Sequence, residues 1–475
     1  MIIILVNNKL LNNMTRSNLT NENLIFKTSD IDTKIYIREQ KGYFQRIRRV
    51  LSVFLLSLFV VLPFIKFNGV QALHIDIAQQ KINIFAFTLY PHDLVIFCLL
   101  CIFFAFLLFY VTKIYGRVWC GFTCPQTIWM LIFNWVERRI EGSHNHSKAL
   151  DKQSLSIKKL VKKVIKHIIW LGISLFTALV FISYFVPVEQ LYAPFFTFKS
   201  SSLVVSWVLF FMGCTYINAG WIREKMCLHM CPYARFQSVM FDSSTKLISY
   251  DALRGENRGK RKVTQEVTPE MGDCVDCNLC VQVCPVGIDI RNGLQYECIN
   301  CGLCADACDM TMNKFNYAKG LISFSSLSFS STQQTNASWK KHLSYGCAVF
   351  LCLFTMLAWA YNWQSFNVNI LRDRQVLYKI NQEGKIENTY LFKIRNKSND
   401  VKNYQVKLKG LNNARLVSHN NIEVLPGELK AFSIQVVVNE PLTTKRSDIQ
   451  FYIEDTTSDD YVLKKTSFYS GSGSW

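Results

Sequence analysis

The sequence predicts an integral membrane α-helical protein of about five spans, with a cysteine-rich insert before the fifth span and an all-β sandwich at the C-terminus. Three observations lead there. Half of the 475 residues are hydrophobic and only 18% are charged, less charge than a soluble chain of this size carries. The apolar residues gather in blocks long enough to cross a bilayer of roughly 30 Å. Beyond Trp363 the blocks give way to short alternating runs without cysteine.

The first block, about Phe44–Phe67, contains VLSVFLLSLFVVLPFI and follows Arg46, Arg48 and Arg49. Residues 68–92 hold few basic residues and alternate weakly around Ile82–Phe87, as an external hairpin would. The second block is Leu94–Val111. A strongly basic stretch follows, including Lys113, Arg117, Arg138, Arg139 and Lys158 to Lys166. The third block is Ile168–Val186 and the fourth Leu203–Trp221, separated by a loop whose one basic residue is Lys199. The basic segment 222–341 leads to the fifth block, Leu343–Tyr361. Basic loops stay in the cytoplasm, so the N-terminus and the insert are expected inside and the C-terminus outside. In the last segment NTYLFKIRN, YQVKLKG, KAFSIQVVV and DIQFYIED are separated by turn signals at Glu383-Gly384, Asn412-Asn413 and Pro426-Gly427. That spacing reads as a sandwich.

The expected division is a disordered cytoplasmic tail at 1–40, a four-span membrane domain at 41–240 and a ferredoxin-like domain at 241–325. The fifth transmembrane helix with its flanks follows at 326–365, and a periplasmic immunoglobulin-like β-sandwich at 366–475. The opening run Met1–Val6 is too short for the apolar region of a secretory signal, and Met14 offers a second start. The net charge of +19 is accounted for by basic residues beside the spans, so no nucleic-acid partner is inferred. Eight of the 17 cysteines fall in two tight clusters, which suits a reduced, metal-loaded face rather than a disulfide scaffold.

Those clusters are CVDCNLCVQVCP, from Cys274, and CINCGLCADAC, ending at Cys308. Each is Cys-x2-Cys-x2-Cys-x3-Cys, the spacing that binds two 4Fe–4S clusters, with the fourth cysteine of each run crossing to the other cluster. Cys274, Cys277, Cys280 and Cys308 are thus assigned to one cluster, and Cys298, Cys301, Cys304 and Cys284 to the other. Zinc knots use paired Cys-x2-Cys units and need no third cysteine at the same step. Asp309 stands where the first run has Pro285, outside the ligand positions.

Cys120 and Cys124 in WCGFTCPQ, and Cys227 and Cys231 in MCLHMCPY, each follow a span and precede a proline, Pro125 or Pro232. Two equivalent motifs look like a duplicated half. The residue before proline leaves helical geometry and proline favours a helix start, so each pair is expected on a bend with a new helix beyond it. A helix N-terminus lowers a thiol pKa, and thiolates select soft ions such as Cu(I). His229 and Met230 lie between the second pair; for His229 a solvent-facing imidazole is the expectation. Cys98, Cys101, Cys214, Cys347 and Cys352, within spans, read as packing residues. TIWMLIFNWVERRIEG, with Trp129 and Trp135 beside Arg138 and Arg139, reads as an interfacial helix.

GRVWCGFTCPQTIW, REKMCLHMCPYARFQSVMFD, YDALRGENRG and CPVGIDIRNGLQYECINCGLCADACD together resemble the CcoG/FixG/RdxA family of cytochrome c oxidase accessory proteins. The resemblance runs from about Tyr43 to the end and rests on NTYLFKIRNKS in the last domain. It implies a bacterial inner-membrane protein that reduces Cu(II) to Cu(I) during assembly of a cbb-type oxidase. The eight cysteines above would hold the clusters, and Cys120, Cys124, Cys227 and Cys231 would be the catalytic, copper-binding thiols, in one site or two. Copper chaperones or oxidase subunits would be the partners, with an unknown cytoplasmic electron donor. Two other readings fit the residues: a quinol-linked electron-transfer subunit, and a non-enzymatic oxidase assembly scaffold.

Overall fold

The computed structural model describes residues 34–475 apart from 68, 86, 242–243, 264–270, 327–336, 373–375, 382–383, 399, 412–413, 418–420, 439–445, 459 and 471–475. The chain forms two compact units. One takes the chain up to Ile77 together with Cys98–Leu353, the other Ala78–Phe97 together with Phe354–Trp475.

Five helices are long and apolar enough to cross a membrane: Tyr43–Phe64, Leu94–Tyr115, Ile157–Ile182, Ser202–Ile222 and Leu343–Tyr361. They coincide with the five predicted blocks. The third begins earlier than its apolar block because its first turns carry lysines that find carboxylates: Lys163 and Lys166 each reach Glu141 at 2.7 Å. In the first unit the third and fourth spans pack side by side through Ala178, Leu179, Ile182 and Val208, closed by Leu191 from the helix Val188–Phe196. The helix Pro125–Glu141 lies against the third span, with the Phe133 ring stacked on Trp170 at 5.2 Å. Trp129 donates to Thr177 there, whereas Trp135 is exposed with Arg139 over its face.

Glu137 on that helix is the centre of a buried charge network. It pairs with Arg223 at 2.6 Å, Lys34 at 3.0 Å and Lys166 at 3.5 Å. Lys34 and Lys163 also hold Asp151 at 2.8 and 2.6 Å. Of the expected disordered tail, residues 1–33 lie outside the described residues. Residues 34–40 run extended, anchored by Lys34 and by the Arg38 amide on the Gln282 carbonyl. Satisfied ion pairs there outweigh the polar composition that argued for disorder.

The cysteine-rich insert is closed by an antiparallel pair, Lys246–Tyr250 with Ile322–Ser326. Its first span contact is Phe44, whose ring lies 5.3 Å from that of Phe324.

The second unit is the β-sandwich. One sheet centres on Ile386–Asn396, flanked by Leu429–Val438 and Phe366–Arg372. The other runs Asn421–Val424, Lys402–Lys409, Arg446–Asp455, Tyr461–Tyr469. Alternate residues face inward, so Tyr390, Phe392 and Ile394 meet Tyr404, Phe451 and Ile453 in the core. The turn at Pro426-Gly427 is present; Glu383 and Asn412-Asn413 lie outside the described residues. The predicted hairpin is Lys81–Ile84 with Phe87–Leu89, and it belongs to this unit. Asp93 just beyond it pairs at 2.7 Å with Lys397, both buried, and Arg395 covers the Tyr90 ring at 4.5 Å.

Candidate metal centres and membrane thiol site

The two cysteine runs fold alike. Asp276 and Asn278 bracket Cys277 with positive φ, and Asn300 and Gly302 bracket Cys301 in the same way. Each bracket curls the backbone around one thiol, and a helix follows: Leu279–Gln282 in the first, Leu303–Lys314 in the second. Gly302 serves both needs of its position. Its φ is +75°, and a Cβ there would stand 2.5 Å from the Phe44 ring.

Two small cavities lie within the insert. Cys274, Cys277, Cys280 and Cys308 line one; Cys284, Cys298, Cys301 and Cys304 line the other, with Cys280 reaching both. Four thiols lining each cavity suit a 4Fe–4S cubane. Burial pushes the Cys280 thiol up to about 11 and those of Cys298 and Cys308 to about 12, so iron must displace protons as it binds. Cys277 is exposed, which puts the first cavity, here the outer one, toward solvent.

The membrane thiol pairs sit on bends, as proline dictates. Cys124 and Cys231 are extended (ψ 129° and 112°), and helices begin at Pro125 and Pro232. Cys120 lies in the short helix Val118–Phe122 and Cys227 in a π-helical turn, Met226–Met230. The four thiols lie within one another's electrostatic range, although among the described residues no three of them converge on a single ion. The expectation of lowered thiol pKa values is wrong for the protein without metal. Burial pushes Cys120 and Cys227 up to about 12 and raises Cys124 as well. Desolvation outweighs the helix N-termini. A bound soft cation reverses that balance, because coordination deprotonates a thiol outright. His229 and Met230 are exposed. Cys98, Cys101, Cys214 and Cys347 are exposed on their spans rather than packed, and Cys352 is half-buried.

The thiol group touches the inner cavity. Cys120 packs in one apolar cluster with Cys301, Ile299 and Val283, against Cys284 and Cys298. At Gly121 a Cβ would stand 2.7 Å from the Ile299 carbonyl oxygen and 3.0 Å from the Cys301 Cα. Only glycine lets the two backbones come this close. The Cys120 thiol donates to Gln237 Oε1 at 3.3 Å, and Gln237 Nε2 donates to Thr112 at 3.1 Å, which also meets the Tyr233 hydroxyl. Gln237 is fully buried. Sequence reasoning passed over Gln237, Thr112 and Gly121. It also placed Arg48 and Arg117 in basic flanks of the spans without foreseeing their burial, at 3% and 2% exposure. No local pattern marks any of them.

Residues 222–327 match the 4Fe-4S dicluster domain, and residues 356–471 match the IG-like fold at the C-terminal of FixG. The chain is 31% identical to the nitrogen fixation protein FixG of Rhizobium meliloti, over 80% of this chain and 79% of that one. It is 32% identical to protein RdxA of Cereibacter sphaeroides, over 80% and 82%. This chain belongs to the FixG/RdxA family. Protein RdxB of Cereibacter sphaeroides is a further FixG/RdxA relative, at 29% identity over 91% of this chain and 95% of its own. The FixG-related protein from Vibrio parahaemolyticus matches 23% of this chain at 26% identity, with a TM-score of 0.22. As a family member with five apolar helices and a dicluster domain, this FixG/RdxA chain is an iron–sulfur membrane electron-transfer protein.

Proposed function

We propose that this protein reduces Cu(II) to Cu(I) at Cys120, Cys124, Cys227 and Cys231, in the service of cbb-type cytochrome c oxidase assembly. Cys274, Cys277, Cys280 and Cys308 hold one 4Fe–4S cluster, and Cys284, Cys298, Cys301 and Cys304 the other. Bound there, the clusters supply single electrons at low potential. The observation that carries the reading is the seat of Gly121 on Cys301, which brings the thiol group against the inner cavity.

The chain's own residues account for the rest. Cupric ion prefers nitrogen and oxygen donors, cuprous ion sulfur, so a site of four thiols favours the reduced state. Gln237 holds Cys120 in place through its hydrogen bond. The clusters and N-terminus face the cytoplasm of a bacterial inner membrane, and the sandwich faces the periplasm. Support comes from the basic loops and from the hairpin Lys81–Leu89, which shares a unit with the sandwich as that topology requires. A cytoplasmic electron donor feeds the outer cavity, and copper chaperones or oxidase subunits receive the product.

The test is anaerobic: the chemically reduced protein is mixed with Cu(II), and Cu(I) is read with a chromogenic chelator. Serine at any of the four thiols should slow the reaction at least about tenfold, a barrier change of ~1.4 kcal/mol, with iron content retained. An unchanged rate in all four variants removes the thiols from the reaction.

A further inference from the structure

Arg48 and Arg117 are almost fully buried, and the Nε of each has no hydrogen-bond partner. Arg117 is fixed by the carbonyls of Tyr296, at 2.8 Å, and Ala234, and it lies over the Tyr296 ring at 4.8 Å. Unlike Arg223 and Arg291, which hold carboxylates, neither of these two has a carboxylate partner among the described residues. A buried cation without a counter-charge is costly. What both face is sulfur. Arg48 faces Cys301 and Cys284 from the first span. Arg117, held by the Tyr296 carbonyl two residues from Cys298, lies within electrostatic range of Cys298, Cys120 and Cys227.

The outer cavity is surrounded differently. Its cation, Arg291, faces Cys280 but is paired with Asp276 at 2.5 Å and Asp289 at 2.7 Å. Asp309 adds a negative charge beside Cys308. At the inner cavity the opposing carboxylate is Glu297, beside Cys298. So guanidinium groups without an ion-pair partner, Arg48 and Arg117, stand beside the inner thiols, whereas Arg291 beside the outer ones is neutralised by two aspartates. Charge inside a protein is poorly screened, and nearby positive charge favours the more negative, reduced state of a cluster.

We propose that Arg48 and Arg117 make the inner site the higher-potential of the two, so that electrons entering at the outer site collect beside Cys120. The inference rests on the cofactor reading given above. Each transfer moves one electron: the outer site is oxidised by one unit as the inner is reduced by one, no bond forms or breaks, and one Cu(II) becomes Cu(I). The first donor is a low-potential one-electron carrier. Arg48 and Arg117 are positioning residues, since they act through the sites they flank.

The experiment is a redox titration of the full-length protein in lipid nanodiscs, followed by electron paramagnetic resonance, with iron content measured in parallel. In Arg48→Gln and Arg117→Gln the higher midpoint potential should fall, corresponding to a tenfold or greater change in the one-electron equilibrium constant, ~59 mV, while the lower stays put. Arg48→Lys and Arg117→Lys, which keep the charge, should hold the gap; they decide the matter if a Gln variant loses iron. A gap unchanged in iron-replete Gln variants, a fall in the lower potential alone or in both equally, or a gap closed in the Lys variants overturns the inference. A parent protein without two cluster signals overturns the cofactor assignment, and this inference with it.

Discussion

Replacing Gly121 by alanine tests whether the thiol group works by touching the insert. The added methyl would stand 2.7 Å from the Ile299 carbonyl oxygen, 3.0 Å from the Cys301 Cα and 3.1 Å from its amide nitrogen. All three are backbone atoms of the loop that carries an inner-cavity thiol, so no rotamer change relieves the clash. Restoring an ordinary contact of 3.4 Å requires the loop to withdraw by about 0.7 Å. Overpacking of this kind costs ~1–3 kcal/mol. Gly213, in the fourth span, is the control, because a Cβ there meets nothing within 4 Å; alanine at that position should stabilise the helix by ~0.5–1 kcal/mol. Thermal unfolding in detergent gives the stability difference, and anaerobic Cu(II) reduction gives the rate. Gly121→Ala should lower both while keeping its iron; Gly213→Ala should lower neither. Parent-like stability and rate in Gly121→Ala would refute the close approach as the functional contact.

Two further outcomes follow from buried charges. Arg223, Lys34 and Lys166 surround Glu137; burial alone would raise its pKa, but these cations outweigh burial and hold the carboxyl down at about 2, from an ordinary 4.5. That depression corresponds to ~3 kcal/mol of stability, present above pH 4.5 and lost as pH falls from there toward 2. Glu137→Gln should therefore be about that much less stable at pH 7, with the difference shrinking in acid; a pH-independent difference in denaturant midpoints would contradict the pairing. In the second unit, Lys397→Met strands the Asp93 carboxylate in a buried site and should cost ~3–5 kcal/mol. Lys397→Met with Asp93→Leu should cost less, as limited proteolysis of the sandwich would reveal.

The features legible in the sequence are those set by covalent spacing or by bulk hydrophobicity. The dicluster domain was legible because its cysteines recur at a fixed covalent spacing. Pro125 and Pro232 announced their bends because proline restricts its neighbour whatever surrounds it. Spans were visible because a bilayer demands length and apolarity together. Burial of Arg48 and Arg117 was hidden, since a lysine- and arginine-rich flank looks the same whether its cations meet water or sulfur. The protonation of the membrane thiols went astray for a related reason: the helix start is written in the chain, but the desolvation that opposes it depends on segments more than a hundred residues away. Gln237 was silent too, for its partners Cys120 and Thr112 come from another pair of elements.

The pairing of Asp93 with Lys397 spans 304 residues. A ribosome adding roughly 5–20 residues each second completes the Asp93 segment well before Lys397 emerges, by about 15–60 s. Throughout that interval an acidic side chain meant for a dry site has no cation to meet, and the early loop must wait, hydrated, for the final domain. A chain that stops short of Lys397 therefore leaves the Asp93 carboxylate without its cation.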